Sequence, residues 1–250
     1  MQKILHSKIL SKFTEIHHGT STKKFGPLSF TYDKDSNEVI IDRAKFLTEL
    51  NLPLNHSVFL CEQNHTDNIV YVSQKDAGRG TFDQKNRIPN ADAMITKDKN
   101  LNLIVYTADC MPILIFDPKE KIIAAVHSGW KGTIKKITIK TLEKMEKNFG
   151  CNKKNFQIYI GPSIGPCCYS VKNKEQIELF QKNYDNVISR DKKFFIDLWD
   201  SVEKDLLDFG ISKKNYENSK ICTVCNKKFF ASHRGDNPRT TTNLSVISII

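Results

Sequence analysis

The chain contains 250 residues, of which 39% are hydrophobic and 26% are charged, an ordinary balance for a soluble globular protein with a substantial core. No apolar run approaches the roughly 20 residues that a membrane-spanning helix needs, so we expect no membrane partner. The N-terminal segment also lacks the apolar core and cleavage site of a signal peptide. We therefore expect a cytoplasmic protein whose seven cysteines are reduced thiols.

The net charge of +10, from 38 basic and 28 acidic residues, would suit nucleic acid or another anion as a partner. However, only six of the basic residues are arginines, and the lysines are scattered in pairs through predicted helices and turns. They form no concentrated stripe and do not alternate with aromatic residues. A solvated, lysine-rich surface therefore explains the charge better than a nucleic-acid-binding face.

The predicted strands are concentrated in the first half of the chain. Apolar runs bounded by turn residues predict strands at 57–61, 68–73, 92–96, 102–106, 113–116, 122–126, 156–160 and 245–250. Helical spacing of apolar residues predicts a helix after Gly132 that ends at Gly150, and further helices at 174–184 and 198–209. The polar stretch at 31–38 predicts a loop. Early strands followed by late helices predict an α+β architecture rather than a regular βαβ alternation.

A predicted β-hairpin carries the most informative residues of the chain. Its strands at 113–116 and 122–126 are joined by a turn that contains proline. Since paired strands of similar length bring their outer ends together, Cys110 and His127 become neighbours. A thiol beside an imidazole indicates either a metal site or an activated nucleophile.

A third candidate ligand is His65, which lies in a polar turn between two predicted strands. Together with Cys110 and His127 it would supply two imidazoles and a thiolate. Three such ligands with a fourth position open to water are typical of a catalytic zinc site, although copper accepts the same donors. Asp109 and Asp92 are candidates for orienting these ligands or moving protons. Taken singly, each ligand also has a plain interpretation as a surface histidine or a small buried cysteine.

Anion binding is a further possibility at the turn that follows the hairpin. Gly129 and Gly132 flank a strand-to-helix junction, where backbone N–H groups and the Lys131 side chain can meet an anion. A glycine-rich turn that packs a tryptophan is the alternative. Near the C-terminus, Arg234 and Arg239 are candidate anion binders, and a plain surface loop is again the alternative.

Cys222 and Cys225 form a CxxC motif, which supplies half of a four-cysteine zinc site. The vicinal pair Cys167-Cys168 could supply the other half, although adjacent residues rarely chelate one tetrahedral ion well. A structural zinc is therefore the less favoured interpretation. A thioredoxin-like role is less favoured still, because no predicted βαβ unit surrounds the motif.

Six ordered motifs resemble those of the YfiH-like laccase-domain family, whose members were long described as multicopper polyphenol oxidases and are now assigned as zinc-dependent purine nucleoside phosphorylases with adenosine deaminase activity. The matches are QVHG at 63–66, ADALVT at 91–96, TADC at 107–110, VHAGWRG at 126–132, GPxIGPCCYEV at 161–171, and CT-x-C followed by FFS at 222–232. The resemblance covers most of the chain. It implies one catalytic domain over residues 1–250, a mixed β-sandwich with flanking helices.

The resemblance also implies a metal site and a set of substrates. The family's three metal ligands correspond to His65, Cys110 and His127, the residues already identified. The implied cofactor is zinc, with copper as the alternative. The implied substrates are adenosine, inosine, guanosine and methylthioadenosine with phosphate, and an activated water would attack C6 of adenine during deamination.

Phosphate would be held by backbone N–H groups at 129–132, by Lys131, and by Arg43 or Arg234. The sequence departs from the family at two positions within these motifs. Lys131 replaces an arginine in the turn at 129–132, and Thr66 replaces a glycine beside His65. A lysine keeps the positive charge but lacks the bidentate geometry of arginine toward phosphate. These departures concern phosphate affinity and substrate preference rather than the metal ligands.

Three rival functions fit parts of the sequence. In a metal-free cysteine hydrolase, His127 or His65 would activate the Cys110 thiolate. A copper-dependent polyphenol oxidase would use the same donors, although the chain has few histidines for a multicopper cluster. A non-enzymatic nucleic-acid-binding protein would be favoured by the charge alone. The sequence predicts no particular oligomeric state.

Overall fold

The computed structural model describes residues 2–31, 36–60, 64–83, 85–238 and 240–250. Gln63, the first residue of the motif at 63–66, and the predicted anion binder Arg239 lie outside the described residues. The helices are α1 (Ser36–Thr48), α2 (Trp130–Ile134), α3 (Ile137–Phe149), α4 (Lys174–Tyr184) and α5 (Leu198–Phe209). Within the described ranges, none of them has both the length and the apolar character that a membrane crossing requires.

The strands are β1 (Ile4–Leu5), β2 (Ile16–Ser21), β3 (Ser57–Leu60), β4 (Ile69–Tyr71), β5 (Ala93–Thr96), β6 (Asn102–Thr107), β7 (Met111–Asp117), β8 (Ile122–Ser128), β9 (Gln157–Ile160), β10 (Ser170–Val171), β11 (Val187–Arg190), β12 (Lys193–Ile196), β13 (Tyr216–Asn218) and β14 (Asn243–Ile249). They form one sheet in the order β1-β2-β14-β6-β3, a second in the order β13-β9-β7-β8-β5-β4, and a small third sheet β10-β12-β11. Both large sheets are mixed: β3 is parallel to β6, β4 to β5 and β13 to β9.

The two large sheets pack face to face because their strands alternate apolar side chains between two faces. In β7, Leu114 and Phe116 contribute to a buried cluster that also contains Leu103 and Val105 of the first sheet. The intervening residue Ile115 belongs to a different cluster, on the outer face of the second sheet. This alternation places the main core between the sheets.

Helices cover the outer faces of this sandwich. Leu142 of α3 and Leu206 of α5 pack in the cluster on the second sheet, while Phe46 of α1 packs with Phe59 and Val246 on the first. The predicted α+β architecture, a mixed β-sandwich with flanking helices, is confirmed. The loop predicted at 31–38 is shorter than expected on its C-terminal side, because α1 begins at Ser36.

The chain crosses between the two large sheets at one end of the sandwich. β3 and β6 end there in the first sheet, and β4 and β7 begin there in the second. His65 lies on the first crossing and Cys110 on the second. The predicted hairpin is confirmed, and its register places Pro112 opposite His127, near the end of β8. The three predicted ligands therefore meet at this end.

Candidate metal centre

His65, Cys110 and His127 form a group that could hold a metal ion. Their potential ligand atoms, two imidazole nitrogens and one sulfur, all lie within 4.8 Å of one another. The centroids of the two imidazole rings are 5.0 Å apart. His127 is buried, whereas His65 and Cys110 are partly exposed, so the group has one open side. The structure thus brings together the three residues that the sequence singles out.

The carboxylate that orients this group is that of Asp92, which is fully buried. Its Oδ1 accepts hydrogen bonds from His127 Nδ1 at 2.8 Å and from the His65 backbone N–H at 3.2 Å. Its Oδ2 accepts from the backbone N–H and the hydroxyl of Thr66 at 2.6 and 2.7 Å. A carboxylate on one imidazole nitrogen fixes the ring and leaves the other nitrogen for a metal or a thiol.

A buried ring nitrogen supports a metal between these residues. Among the described residues, Nδ1 of His65 has no hydrogen-bond partner, although it is shielded from water, and such an orphaned polar atom is unfavourable. A Cβ at Gly129 would lie 2.5 Å from this nitrogen and 3.0 Å from the Cys110 sulfur. The glycine therefore leaves room beside the ligands. Two imidazoles and a thiol around this space fit Zn²⁺.

The electrostatics of the group separate the two histidines. Burial alone lowers the pKa of His127, but the adjacent Cys110 sulfur and the Asp92 carboxylate raise this pKa to about 9. Burial and the nearby His127 lower the pKa of His65, so this imidazole is neutral at pH 7. The Asp92 carboxylate and the Cys110 sulfur therefore favour the protonated form of His127, whereas burial disfavours the protonated form of His65.

Asp109, a candidate for orienting ligands or moving protons, joins three segments of the chain. Its Oδ1 accepts hydrogen bonds from the hydroxyls of Thr223 and Ser232, both at 2.6 Å. Its Oδ2 accepts from the Arg234 backbone N–H at 2.7 Å. With φ at 86°, Asp109 has a left-handed backbone that these bonds stabilise. The residue therefore fixes the turn that presents Cys110.

A cavity of about 550 Å³ opens at the candidate metal centre, and its volume lies within the range of small-molecule sites. His65, Cys110 and His127 all contribute to its wall. The remaining wall is rich in aromatic side chains, which are Phe30, Tyr106, Trp130 and Tyr169. Sequence reasoning missed three of these, Phe30, Tyr106 and Tyr169, because they are far apart in the chain and no local pattern distinguishes them from core residues.

The predicted anion binders occupy different places. Arg234 lines the cavity, where its guanidinium donates to the Ser170 carbonyl at 2.9 Å. Gly129 also lines the cavity, whereas Gly132 is buried in α2. Lys131 is exposed, with Nζ 5.6 Å from the centre of the neighbouring indole ring. Lys131 is therefore next to a residue of the cavity wall, since Trp130 lines the cavity.

Arg43 also lines the cavity but is only 1% exposed. Its Nη1 donates to the carbonyls of Gly80 and Thr81 at 2.9 and 2.7 Å, and its Nη2 donates to the Tyr106 hydroxyl. The guanidinium lies 4.1 Å from the centre of the Phe30 ring. Arg43 therefore supports two aromatic residues of the wall, and its positive charge is fixed there.

Comparison with known proteins identifies relatives along nearly the whole chain. The family model described as "Multi-copper polyphenol oxidoreductase laccase" matches residues 11–250. A protein of Bacillus subtilis named "Purine nucleoside phosphorylase YlmD" is 28% identical, over 98% of this chain and 90% of its own. A protein of Bacteroides thetaiotaomicron named "Purine nucleoside phosphorylase" is 30% identical, over 93% of this chain and 92% of its own.

Two further similarities concern function and fold. A protein from an unknown prokaryotic organism named "Adenosine deaminase RL5" is 28% identical, over 80% of this chain and 78% of its own. The crystal structure of the hypothetical protein YfiH of Bacillus licheniformis is 26% identical and superposes with a TM-score of 0.90, covering 96% of this chain and 95% of that one. The chain therefore belongs to the YfiH-like laccase family, as its six motifs predict.

Proposed function

We propose that this protein is a zinc-dependent purine nucleoside phosphorylase that also deaminates adenosine. The observation that carries the proposal is the orphaned, buried Nδ1 of His65 beside Cys110 and His127 at the cavity wall. The names of the relatives, phosphorylases and one deaminase, support the choice of reaction. The proposed substrates are adenosine, inosine, guanosine and methylthioadenosine, each with phosphate.

The cavity suits a purine nucleoside in size and in the chemistry of its wall. A flat, polarisable base is recognised by aromatic rings, which Phe30, Tyr106, Trp130 and Tyr169 provide on the wall. Arg43 keeps two of these rings in place through its contacts with Phe30 and Tyr106. We infer that the aromatic part of the cavity binds the base and leaves the ribose near the metal centre.

In phosphorolysis, a phosphate oxygen forms a bond to C1′ of the ribose while the N-glycosidic bond breaks. The electron pair of the broken bond leaves with the base. The dianionic phosphate needs positive charge and N–H donors near the cavity. Arg234 on the wall and the exposed Lys131 beside Trp130 supply positive charge, and the buried Arg43 of the wall adds to it. The turn at 129–132 adds backbone N–H groups where α2 begins.

His65, Cys110 and His127 would hold the zinc ion, which would supply Lewis acidity for activating water or polarising a substrate oxygen. Asp92 holds the His127 ring by its Nδ1, so that the opposite nitrogen faces the centre. Asp109 fixes the turn before Cys110. We propose further that residues 1–250 act as one catalytic domain in the cytoplasm, where exposed thiols such as Cys225 remain reduced.

The test is turnover of inosine and adenosine, with and without phosphate, by the native protein, by Cys110→Ala and by Cys151→Ser. Cys151 is buried outside the candidate centre and serves as a matched control. We expect phosphate-dependent release of base that falls more than about 100-fold in Cys110→Ala, because loss of an outer-shell partner alone reduces activity 10–100-fold. Full nucleoside turnover by Cys110→Ala would refute the proposal.

One observation favours a second candidate, a cysteine hydrolase. His127 lies beside the Cys110 sulfur, and its Nδ1 donates to the Asp92 carboxylate at 2.8 Å, so thiol, imidazole and carboxylate are arranged as in a catalytic triad. This alternative leaves the buried Nδ1 of His65 unexplained. Rapid alkylation of Cys110 in a protein without metal would favour the hydrolase, whereas stoichiometric copper with dioxygen uptake would favour a polyphenol oxidase.

A further inference from the structure

Four cysteines outside the candidate metal centre form a second group, which we call the cysteine cluster: Cys167, Cys168, Cys222 and Cys225. Their four sulfurs all lie within 4.8 Å of one another. Two belong to the loop after β9 and two to the segment between β13 and β14. Although Cys167 and Cys168 are adjacent in the chain, both of their sulfurs approach the Cys225 sulfur. They lie in a turn that is closed by a hydrogen bond from the Cys168 N–H to the Gly165 carbonyl.

The distances in the cysteine cluster resemble those around a tetrahedral ion. With Zn–S bonds of about 2.3 Å, two sulfurs on one zinc lie about 3.8 Å apart. The Cys225 sulfur lies 3.6 Å from that of Cys167 and 3.5 Å from that of Cys168. A disulfide would need about 2.05 Å. The sulfurs therefore need only small shifts to surround one zinc ion.

The backbone holds the two segments together independently of any metal. Ser163 N–H donates to the Ile221 carbonyl, and Thr223 N–H donates to the Ser163 carbonyl, both at 3.1 Å. The Gly165 N–H donates to the Cys222 sulfur at 3.3 Å. Hydrogen bonds of this kind orient ligand atoms around bound metals. The cysteine cluster is thus a prearranged donor set.

Charge and exposure also suit a zinc ion that is surrounded by four thiolates. Four thiolates around Zn²⁺ carry a net negative charge, and the Arg190 guanidinium lies beside them, donating to the Cys167 carbonyl at 3.1 Å. Cys167 and Cys225 are exposed, so an ion can enter from solvent, while Cys222 is buried beneath them. Four sulfur donors fill a tetrahedral zinc ion and leave no position for substrate, which is the pattern of a structural site.

We propose that the cysteine cluster binds a second, structural Zn²⁺ that links the two segments behind the cavity. Binding would displace the thiol protons into solvent and form Zn–S bonds in place of the S–H bonds. The linked segments contact Asp109 directly, since Thr223 donates to its carboxylate at 2.6 Å and the Ile164 N–H to its carbonyl at 2.9 Å. The ion would therefore rigidify the turn that presents Cys110. This inference does not depend on the proposed reaction.

The test is zinc content per chain in untagged native protein and in variants. We expect two ions in the native protein, and one each in Cys222→Ser/Cys225→Ser and Cys167→Ser/Cys168→Ser. Cys110→Ala should also retain one zinc ion. A protein that combines Cys110→Ala with either double substitution should retain no zinc. Cys151→Ser, which removes a cysteine outside both groups, should keep two.

Cobalt substitution adds a positive signal from a protein in which all four residues of the cysteine cluster are intact. Co²⁺ loaded into Cys110→Ala should give the intense absorption of a tetrahedral four-thiolate centre, and it should be absent from the double cysteine variants. One zinc in the native protein that only Cys110→Ala removes would overturn the second site and leave the proposed function intact. One zinc that only the double variants remove would support the cysteine cluster and contradict the proposed catalytic centre.

Discussion

At the scale of single residues, the candidate centre depends on a buried carboxylate that is not itself a ligand. Asp92 contacts His127, His65 and Thr66 through both of its oxygens. The sequence names Asp92 as a candidate, but only the structure shows that it, rather than Asp109, is bonded to His127. This distinction could not be predicted, because it depends on how β5 pairs with β8.

We expect Asp92→Asn to weaken zinc binding 10–100-fold, because the substitution removes the charge and the acceptor that orient His127. Competition with a chromophoric chelator measures this affinity. Asp67→Asn is the matched control, since Asp67 lies nearby on the surface and pairs with Lys140 instead. Equal zinc affinity in the native and Asp92→Asn proteins would show that the carboxylate has no role in holding the metal.

A second prediction concerns the space beside the ligands. In Gly129→Ala the new methyl group would lie 2.5 Å from His65 Nδ1, which is closer than real contacts permit, so His65 must move. We expect a loss of zinc affinity of at least about 10-fold. In Gly132→Ala the nearest atom would be a methyl carbon of Ile137 at 3.3 Å, and zinc affinity should be retained. Isothermal titration of both variants with zinc measures these affinities. An unchanged zinc affinity in Gly129→Ala would contradict the geometry of the site.

At the scale of helices and strands, the sequence pattern predicts those elements that are stabilised by interactions between residues close together in the chain. The β7–β8 hairpin and α3 are visible in the sequence because apolar periodicity and turn residues agree. The sequence pattern does not predict α1, which begins inside the polar stretch at 31–38 and forms its buried face from Val39, Phe46 and Leu47. Nor does it predict β11 and β12, whose mostly exposed residues provide no clear alternation.

The end of α3 allows a test of one such local signal. Gly150 caps the helix with φ at 71°, and its N–H donates to the Glu146 carbonyl at 3.1 Å. No atom of the described residues lies within 4 Å of the position that a Cβ would take, so backbone strain alone decides the effect. We expect Gly150→Ala to lower the free energy of unfolding by about 1 kcal/mol, and Gly150→Asn by less, because asparagine tolerates this conformation. Urea unfolding measures both, and equal stability of all three proteins would contradict the cap.

A buried histidine on β2 predicts how stability depends on pH. Burial lowers the pKa of His18 from 6.5 to about 4, and its Nε2 accepts a hydrogen bond from the Ser7 N–H at 3.0 Å. At a pH between these two pKa values, His18 binds a proton in the unfolded chain but not in the folded chain. Stability should therefore fall by about 3 kcal/mol as the pH decreases from 6.5 to 4. His18→Gln should lose less over this range; identical pH profiles would show that His18 does not contribute.

At the scale of the whole molecule, the site is assembled by chain crossings between two sheets. His65 and Cys110 follow strands of the first sheet, and His127 belongs to the second. Sequence motifs identify these residues, since each stands beside a strong turn or strand signal. The contacts of Asp109 with Thr223 and Ser232 span more than 100 residues and arise only from tertiary packing, so no pattern in the sequence predicts them.

The most direct test of the proposed catalytic centre is elemental analysis of untagged native protein and Cys110→Ala. We predict that the variant holds one zinc ion per chain fewer than the native protein, since His65 and His127 alone leave the centre without its thiolate. Native protein and variant with equal zinc content would contradict the catalytic centre. Stoichiometric copper in the native protein, lost from the variant, would keep the ligands but replace the proposed metal and redirect the chemistry to oxidation.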